Sequence, residues 1–202
     1  MTVTRLSVFP LGGALLFPRM HLPLHIFEPR YRALVTDSLA RDRRIGMVQP
    51  REGGAHPALF DRGCVGRIAE VQALPDGRFD IVLEGLARFT LVRELDVTTP
   101  FRQVEAELEP VGDSEILGMA DRASLEMEAR RFAEGQGYAV DWEAVSRLDD
   151  ESLVNGIAQI APFDIASKQA LLEAETLQDR SRLIVQLMQF FGRSGDDVGT
   201  LQ

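Results

Sequence analysis

The chain has 202 residues, 45% of them hydrophobic and 26% charged, with a formal net charge of −9. A chain this long buries roughly 70% of its unfolded surface, enough for one domain or two small ones, and its composition excludes disorder, collagen-like repeats and disulfide-stapled miniatures. The charge is uneven, with 14 basic and 14 acidic side chains in residues 1–110 against 8 and 17 in 111–202, a balance that disfavours general binding to phosphate backbones.

In chain order, the opening MTVTRLSVFPLGG lacks the charged stretch, apolar run and cleavage site of a secretory signal. No later apolar run approaches the roughly 18 residues of a membrane span. A soluble, cytoplasmic protein is the expectation. Nine of the ten prolines fall within 1–110, among short β-branched and aromatic runs, so this half reads as β-rich. One helix interrupts it, starting at Pro29 and placing Tyr31, Leu34, Val35 and Leu39 on one face. Arg41, Arg43 and Arg44 read as the solvated end of that helix. The clearest hairpin joins Val65–Leu74 to Arg78–Leu86 through Pro75-Asp76-Gly77, where Pro presets a turn dihedral and Gly accepts positive φ. Gly85 marks a bulge or bend before Arg88–Leu95 continues as another strand, and such bends let a sheet curl towards a barrel.

After Pro110 the period becomes helical. Asp113 or Ser114 caps a helix to about Glu134, with Ile116, Leu117, Ala120, Ala123 and Met127 as its apolar stripe. Further helices run from Asp150 to Ala161, stopped by Pro162, from Asp164 to Ala174, and from Leu177 to Phe191, stopped by Gly192. Four helices make a small bundle, and Arg193–Gln202 reads as a frayed tail. The division is a β-rich subdomain over 1–110, a helical bundle over 111–193 and a flexible tail over 194–202.

Catalytic machinery is not evident. A P-loop needs a Gly-Lys pair, and no such dipeptide occurs. Gly135-Gln136-Gly137 starts a dinucleotide fingerprint, but Val140 stands where the third glycine belongs. Lys168, the one lysine of the chain, is expected on the surface, and Ser167 beside it faces elsewhere on a helix. His21 and His25 have a helical metal-ligand spacing that Pro23 forbids. Cys64 has no disulfide partner and reads as a small buried hydrophobe. Asp149 and Asp150 fit a helix cap rather than acid–base work. No cofactor and no metal are expected. The arginine-heavy, lysine-poor usage fits a GC-rich bacterial genome.

One set of motifs carries a resemblance. Phe9-Pro10-Leu11-Gly12, Leu16-Phe17-Pro18 and Leu22-Pro23-Leu24-His25-Ile26-Phe27-Glu28-Pro29-Arg30-Tyr31-Arg32 resemble the opening of the Lon amino-terminal, substrate-binding domain family. Gly63-Cys64-Val65-Gly66-Arg67-Ile68, the Pro75-Asp76-Gly77 hairpin, Glu84-Gly85-Leu86-Ala87-Arg88-Phe89 and the stretch from Pro162 to Glu173 follow in the matching order. The resemblance implies an α+β fold: a PUA-like, partly closed antiparallel β-barrel with one helix, followed by an α-helical bundle. It also implies engagement of protein substrates, here without the ATPase module and the serine–lysine protease module that accompany the domain in Lon proteases.

The expected function is therefore non-catalytic binding of apolar protein or peptide segments, through a groove between the barrel and the bundle. Client proteins or peptides are the expected partners, with a separate protease and a second copy of the chain as further candidates. The candidate contact residues are Leu24, Phe27, Glu28, Arg30 and Tyr31 at the start of the first helix, and Leu187, Phe190 and Phe191 on the last. Phe9, Phe17, Leu24 and Phe27 also serve as candidates to fill the barrel, and Glu28 to pair with Arg30 or Arg32 as a partly buried tie. Two alternatives stand beside this: RNA binding through Arg30, Arg32, Arg41, Arg43 and Arg44, as in other PUA-like barrels, and a small-ligand pocket, as in the distantly similar domain of cereblon.

Overall fold

Alternating apolar and polar side chains drive the first half into strands, and this shows best in the longest one. Along Phe79–Glu94 (β5) every second residue from Ile81 to Phe89 is buried, Ile81 and Leu83 in one apolar cluster and Ala87 and Phe89, past the register shift at Gly85, in another. The computed structural model describes residues 3–51, 56–110 and 115–196, with side chains to 192. It divides into two units, Met1–Gly112 and Asp113–Gln202.

The first unit contains Val3–Pro10 (β1), His21–Ile26 (β2), Pro29–Leu39 (α1), Arg44–Pro50 (β3), Leu59–Ala73 (β4), β5 and Gln103–Leu108 (β6). The strands form one sheet in the order β2-β5-β4-β3-β1-β6, and β5 also pairs with β6. That last pairing closes five strands on themselves and leaves β2 outside the ring, on the first half of β5. The sheet is mixed rather than purely antiparallel. β1 and β3 run parallel, with Val8 opposite Gly46, because the chain between them crosses over through β2 and α1. The two faces carry separate apolar clusters, one around Ile26, Leu34, Ile45, Ile68 and Leu83 with α1, the other around Val8, Val65, Phe89 and Val104.

The expected hairpin is present. Gly77 takes φ +79°, the Leu74 amide donates to Arg78 O at 2.8 Å, and β4 and β5 pair from Ala73↔Phe79 onward. Where two strands were expected to meet at Gly85 there is one, with a register shift between Val65 and Gly66 of β4 opposite it. Leu86 is the extra residue of the expected bulge, and Gly85 is also needed for closeness. A Cβ there would overlap the Phe17 carbonyl, since the loop carrying the buried Leu15, Leu16 and Phe17 is tied to it by Arg19 N→Gly85 O and Gly85 N→Met20 O, both 2.8 Å.

The second unit contains Met119–Gly135 (α2), Trp142–Ser146 (α3), Asp150–Ile160 (α4), Ile165–Glu173 (α5) and Leu177–Asp196 (α6). Among the described residues five helices replace the four expected, because the single-turn α3 is too short to show periodicity. Asp149 and Asp164 cap α4 and α5, accepting from Ser152 N and Ser167 N. α2 starts later than expected, and Asp113 and Ser114, its expected caps, lie outside the described residues. Its buried face is Leu125, Ala129, Phe132 and Ala133, roughly 200° around the helix from Ala120, Ala123 and Met127 at 3.6 residues per turn. Ile116 and Met127 are accordingly exposed, and only Leu117 of the expected stripe is buried. α6 continues through Gly192 to Asp196, and the rest of the expected tail lies outside the described residues.

Replacing Gly85 by Ala forces the Phe17 loop off the sheet, and the expected cost is about 3 kcal/mol, the upper end for overpacking. Gly135→Ala, at the end of α2 with nothing within 4 Å of its Cβ position, is expected to gain a few tenths of a kcal/mol, roughly. Urea unfolding of the two variants checks the contrast; equal stabilities would remove the close-approach argument.

Candidate functional site

An apolar pocket of about 580 Å³ opens in the helical unit, inside the size range of ligand sites. Its walls come from Phe132 and Ala133 on α2, Tyr138 and Val140 in the connection, and Trp142 and Val145 on α3. Leu153, Ile157 and Ile160 of α4 and Met188 of α6 complete it. Small residues make the space: Ala129, Gly156 and Ala161 line it where larger side chains would fill it. Apolar surface faces solvent at its mouth, where Ile160 is 82% and Tyr138 51% exposed.

Local sequence builds this concavity. α2 ends because Gly137 takes φ +72°, with Tyr138 N donating to Ala133 O at 2.8 Å and Gln136 N to Phe132 O at 3.0 Å, so the chain turns back along the helix. Asp141 caps α3 by accepting from Ala144 N. The Arg130 guanidinium lies 4.8 Å from the centroid of the Trp142 ring, a cation–π contact that holds the indole in the wall. Arg122 ties α2 to the α3–α4 turn, donating to Leu148 O at 3.0 Å and pairing with Asp150 at 2.5 Å. Asp150 also accepts from Leu117 N.

Lys168 departs from its expected surface position. It is 7% exposed on α5, on the same helical face as Leu172, and its Nζ donates to Gln159 O at 3.0 Å. The stem packs while the amine satisfies a carbonyl near the end of α4. Burial lowers its pKa below the usual 10.5. Cys64 is buried as expected, and burial raises its thiol pKa, so it is not poised as a nucleophile. Among the described residues no group of three or more His, Cys, Asp and Glu is arranged to hold a metal ion, and no helix is long and apolar enough to cross a membrane.

The residues singled out from sequence fall in two places. In the first unit, Tyr31 is buried, its ring 4.1 Å from Phe9 and its hydroxyl donating to Pro10 O at 3.4 Å, so it anchors α1 to β1. Leu24 is half-buried against the α1-side cluster, and Phe9 and Phe17 are buried. Phe27 does not fill the barrel. It is 60% exposed with its ring 6.2 Å from that of His25, because it is the first residue past β2 and has left the sheet. Glu28 pairs with Arg30 at 2.9 Å, on the surface rather than partly buried, while Arg30 also stacks on Tyr31. In the second unit, Leu187 is half-buried, Phe191 sits against Phe163 at 5.7 Å, and Phe190 meets Phe191 edge-on at 5.3 Å and stays 66% exposed.

His25 contacts Asp80 at 2.6 Å on the surface, and β2, not a helix, carries it. Arg41 and Arg44 pair with Asp37 and Asp42, which offsets the charge of that cluster. Sequence reasoning missed the pocket residues. The available signals were the lone tryptophan, Trp142, the apolar run Tyr138-Ala139-Val140 after Gly137, and Ile160 one turn beyond the buried face of α4.

A curled sheet in the first unit and helices with an open apolar pocket in the second define a chain of mixed α+β class. A family model described as the ATP-dependent protease La (LON) substrate-binding domain matches residues 5–189, and the chain belongs to that family. Among curated relatives, Lon protease of Buchnera aphidicola subsp. Acyrthosiphon pisum is 23% identical over 91% of this chain and 25% of its own length. Lon protease 2 of Herpetosiphon aurantiacus is 30% identical over 90% of this chain and 23% of its own. The chain thus spans about a quarter of the length of the curated relatives it matches. In fold it is similar to a Lon N-terminal domain protein from Xanthomonas campestris (TM-score 0.67, 22% identity, 91% of this chain and 98% of that one). It is likewise similar to the N-terminal domain of Mycobacterium avium complex Lon protease (TM-score 0.65, 18% identity, 92% and 98%).

The buried lysine gives a pH prediction. Between its lowered folded pKa and 10.5, the unfolded chain holds more protons at this site than the folded one, so this site adds stability as pH rises through that window. Lys168→Met lacks the term. The unfolding free energy of the parent minus that of the variant is therefore expected to increase as pH rises towards the unfolded value of 10.5; a flat difference in urea titrations would show that the amine is solvated.

Proposed function

We propose that this chain captures apolar segments of other proteins in the pocket bounded by α2, α3 and α4, and performs no chemistry on them. The observation that carries this reading is the exposed apolar mouth: Ile160 at 82% and Tyr138 at 51% exposure border an open cavity in a chain of a substrate-binding family. Folding gains nothing from leaving such surface in water, and roughly 25 cal/mol is gained for each Å² that a bound segment covers.

Two further exposed aromatics are candidate contacts, each within its own unit. Phe27 presents its ring at the β2–α1 corner, with Glu28 and Arg30 beside it and Leu24 and Tyr31 holding the corner in place. Phe190 does the same near the end of α6, supported by Leu187 and Phe191. The partners are client proteins or peptides with apolar stretches accessible, and release or cleavage falls to other machinery.

Suppression of client aggregation tests the reading. The parent chain is expected to delay aggregation of a chemically unfolded protein and to photo-crosslink to it from the pocket. Ile160→Asp and Tyr138→Ser, both at exposed positions, are expected to weaken capture about tenfold, as loss of an apolar anchor does, without changing the thermal midpoint. Undiminished capture by both variants would place the site elsewhere.

A further inference from the structure

Among the described residues, the arginines that the fold withdraws from water are met by acceptors, with one exception. Arg62 and Arg88 share Glu109, Arg102 pairs with Glu94 at 2.5 Å, Arg122 pairs with Asp150 at 2.5 Å, and Arg180 donates to Asn155 Oδ1 at 2.8 Å. Arg32, on α1, is half-buried too, yet among the described residues its guanidinium has no hydrogen-bond or ion-pair partner. Sinking a charge into a protein without an acceptor is costly. None of its nitrogens is sealed from solvent, so a ligand can reach them.

The surroundings explain why the guanidinium is left over. It lies against the turn between β4 and β5, where a Cβ on Gly77 would overlap Nη2. The carboxylates of this corner are held by other groups. Asp76 accepts from Arg78 N at 3.1 Å and Nε at 2.6 Å, Asp80 contacts His25 Nδ1 at 2.6 Å, and Glu28 pairs with Arg30 at 2.9 Å. With His25 neutral, Arg30, Arg32 and Arg78 balance Glu28, Asp76 and Asp80 in charge. Glu28 makes no capping bond to α1, so the partial positive charge of the first turn stays at the corner as well. What the corner offers is therefore a set of unspent guanidinium donors rather than a strong field. An exposed aromatic ring completes it. Ile26 lies opposite Phe79 in the sheet, which puts Phe27 beside the turn. Arg78 Nη1 is 3.4 Å from His25 Nε2, and the His25 ring is 6.2 Å from that of Phe27, so contacts run from Arg32 through Gly77, Arg78 and His25 to Phe27.

Resting on the reading of this chain as a protein-capturing module, though not on its pocket, we propose that the corner of Phe27 and Arg32 recognises an aspartate or glutamate next to a large apolar residue in a client segment. The carboxylate accepts from Arg32, whose planar fork of donors matches it. The neighbouring apolar side chain covers the Phe27 ring and removes it from water. An amide in place of the carboxylate meets the same donors with a weaker bond.

Two labelled, carboxy-amidated peptides built on Ser-Leu-Phe-X-Ser, with X either Asp or Asn, differ in a single carboxylate and test this by fluorescence anisotropy with the full chain. The Asp peptide is expected to bind about tenfold more tightly. Arg32→Gln is expected to reduce that preference to about twofold or less, and to keep the thermal midpoint because no bond within the fold is lost. Arg32→Lys, which keeps the charge but not the fork, is expected to retain part of the preference. Phe27→Ser is expected to weaken both peptides alike, and Ile160→Asp to leave the preference as it is. Equal binding of the two peptides, binding of neither, or a preference that survives Arg32→Gln would overturn the proposal. A clear fall in the midpoint of Arg32→Gln would assign the guanidinium to the fold and overturn it too. Equal binding that is lost in Ile160→Asp would overturn the corner and leave the pocket reading standing. A preference that needs Arg32, in a chain whose capture of unfolded protein ignores Ile160→Asp, would keep the corner and overturn the pocket.

Discussion

Arg180 lies almost wholly out of solvent on α6, and its guanidinium donates to Leu171 O at 2.9 Å, Asn155 Oδ1 at 2.8 Å and Ala174 O at 3.2 Å. These acceptors belong to α5, to α4 and to the turn after α5, so one side chain fixes three helices around a shared point. Placing a cation there is costly unless its donors are used, and the same geometry satisfies carbonyls at the end of α5 that helical bonding leaves open. With α4 held this way, Ile157 and Ile160 are fixed in the pocket wall, and α6 delivers Met188 to the same cavity. The clamp contributes a rigid back wall, so the open side can be formed by the short α3 and the irregular chain before it.

The first unit solves a different problem with similar means. Five of its strands close on themselves, which leaves few unpaired edges, and the loop bearing Leu15, Leu16 and Phe17 reaches full burial only because Gly85 has no side chain. β2 stays outside the ring with Pro23 in it, a residue that cannot donate to a further strand and so protects that edge. This unit carries as many basic as acidic residues, while the helical unit carries the whole net charge. The apolar pocket and the excess negative charge therefore lie in the same unit.

Much of this was legible wherever a local rule acted alone. Pro75-Asp76-Gly77 specifies its hairpin through turn dihedrals, Pro29 and Pro162 set helix boundaries, and Asp149 and Asp164 cap because their side chains reach the next turn. The motifs from Phe9 to Arg32 carried the family before any contact was known. What failed depended on tertiary choices. The face that α2 buries was decided by packing of Phe132 and Leu125, not by the alanines that share the opposite side. Lys168 goes inside because a carbonyl of α4, nine residues earlier, accepts its amine. The pocket was invisible because it is made of absence: Ala129, Gly156 and Ala161 look unremarkable in sequence, and only their convergence leaves a space.

Trp142 offers the most direct test, since it is the single tryptophan of the chain and forms part of the pocket wall. Titrating the full chain with an apolar peptide that contains no tryptophan should shift the Trp142 emission to shorter wavelength, saturably, as water leaves the indole, and Ile160→Asp should shift the titration to higher peptide concentration. Saturable peptide binding with an unchanged emission spectrum would contradict the account, because the captured segment would then lie away from this pocket.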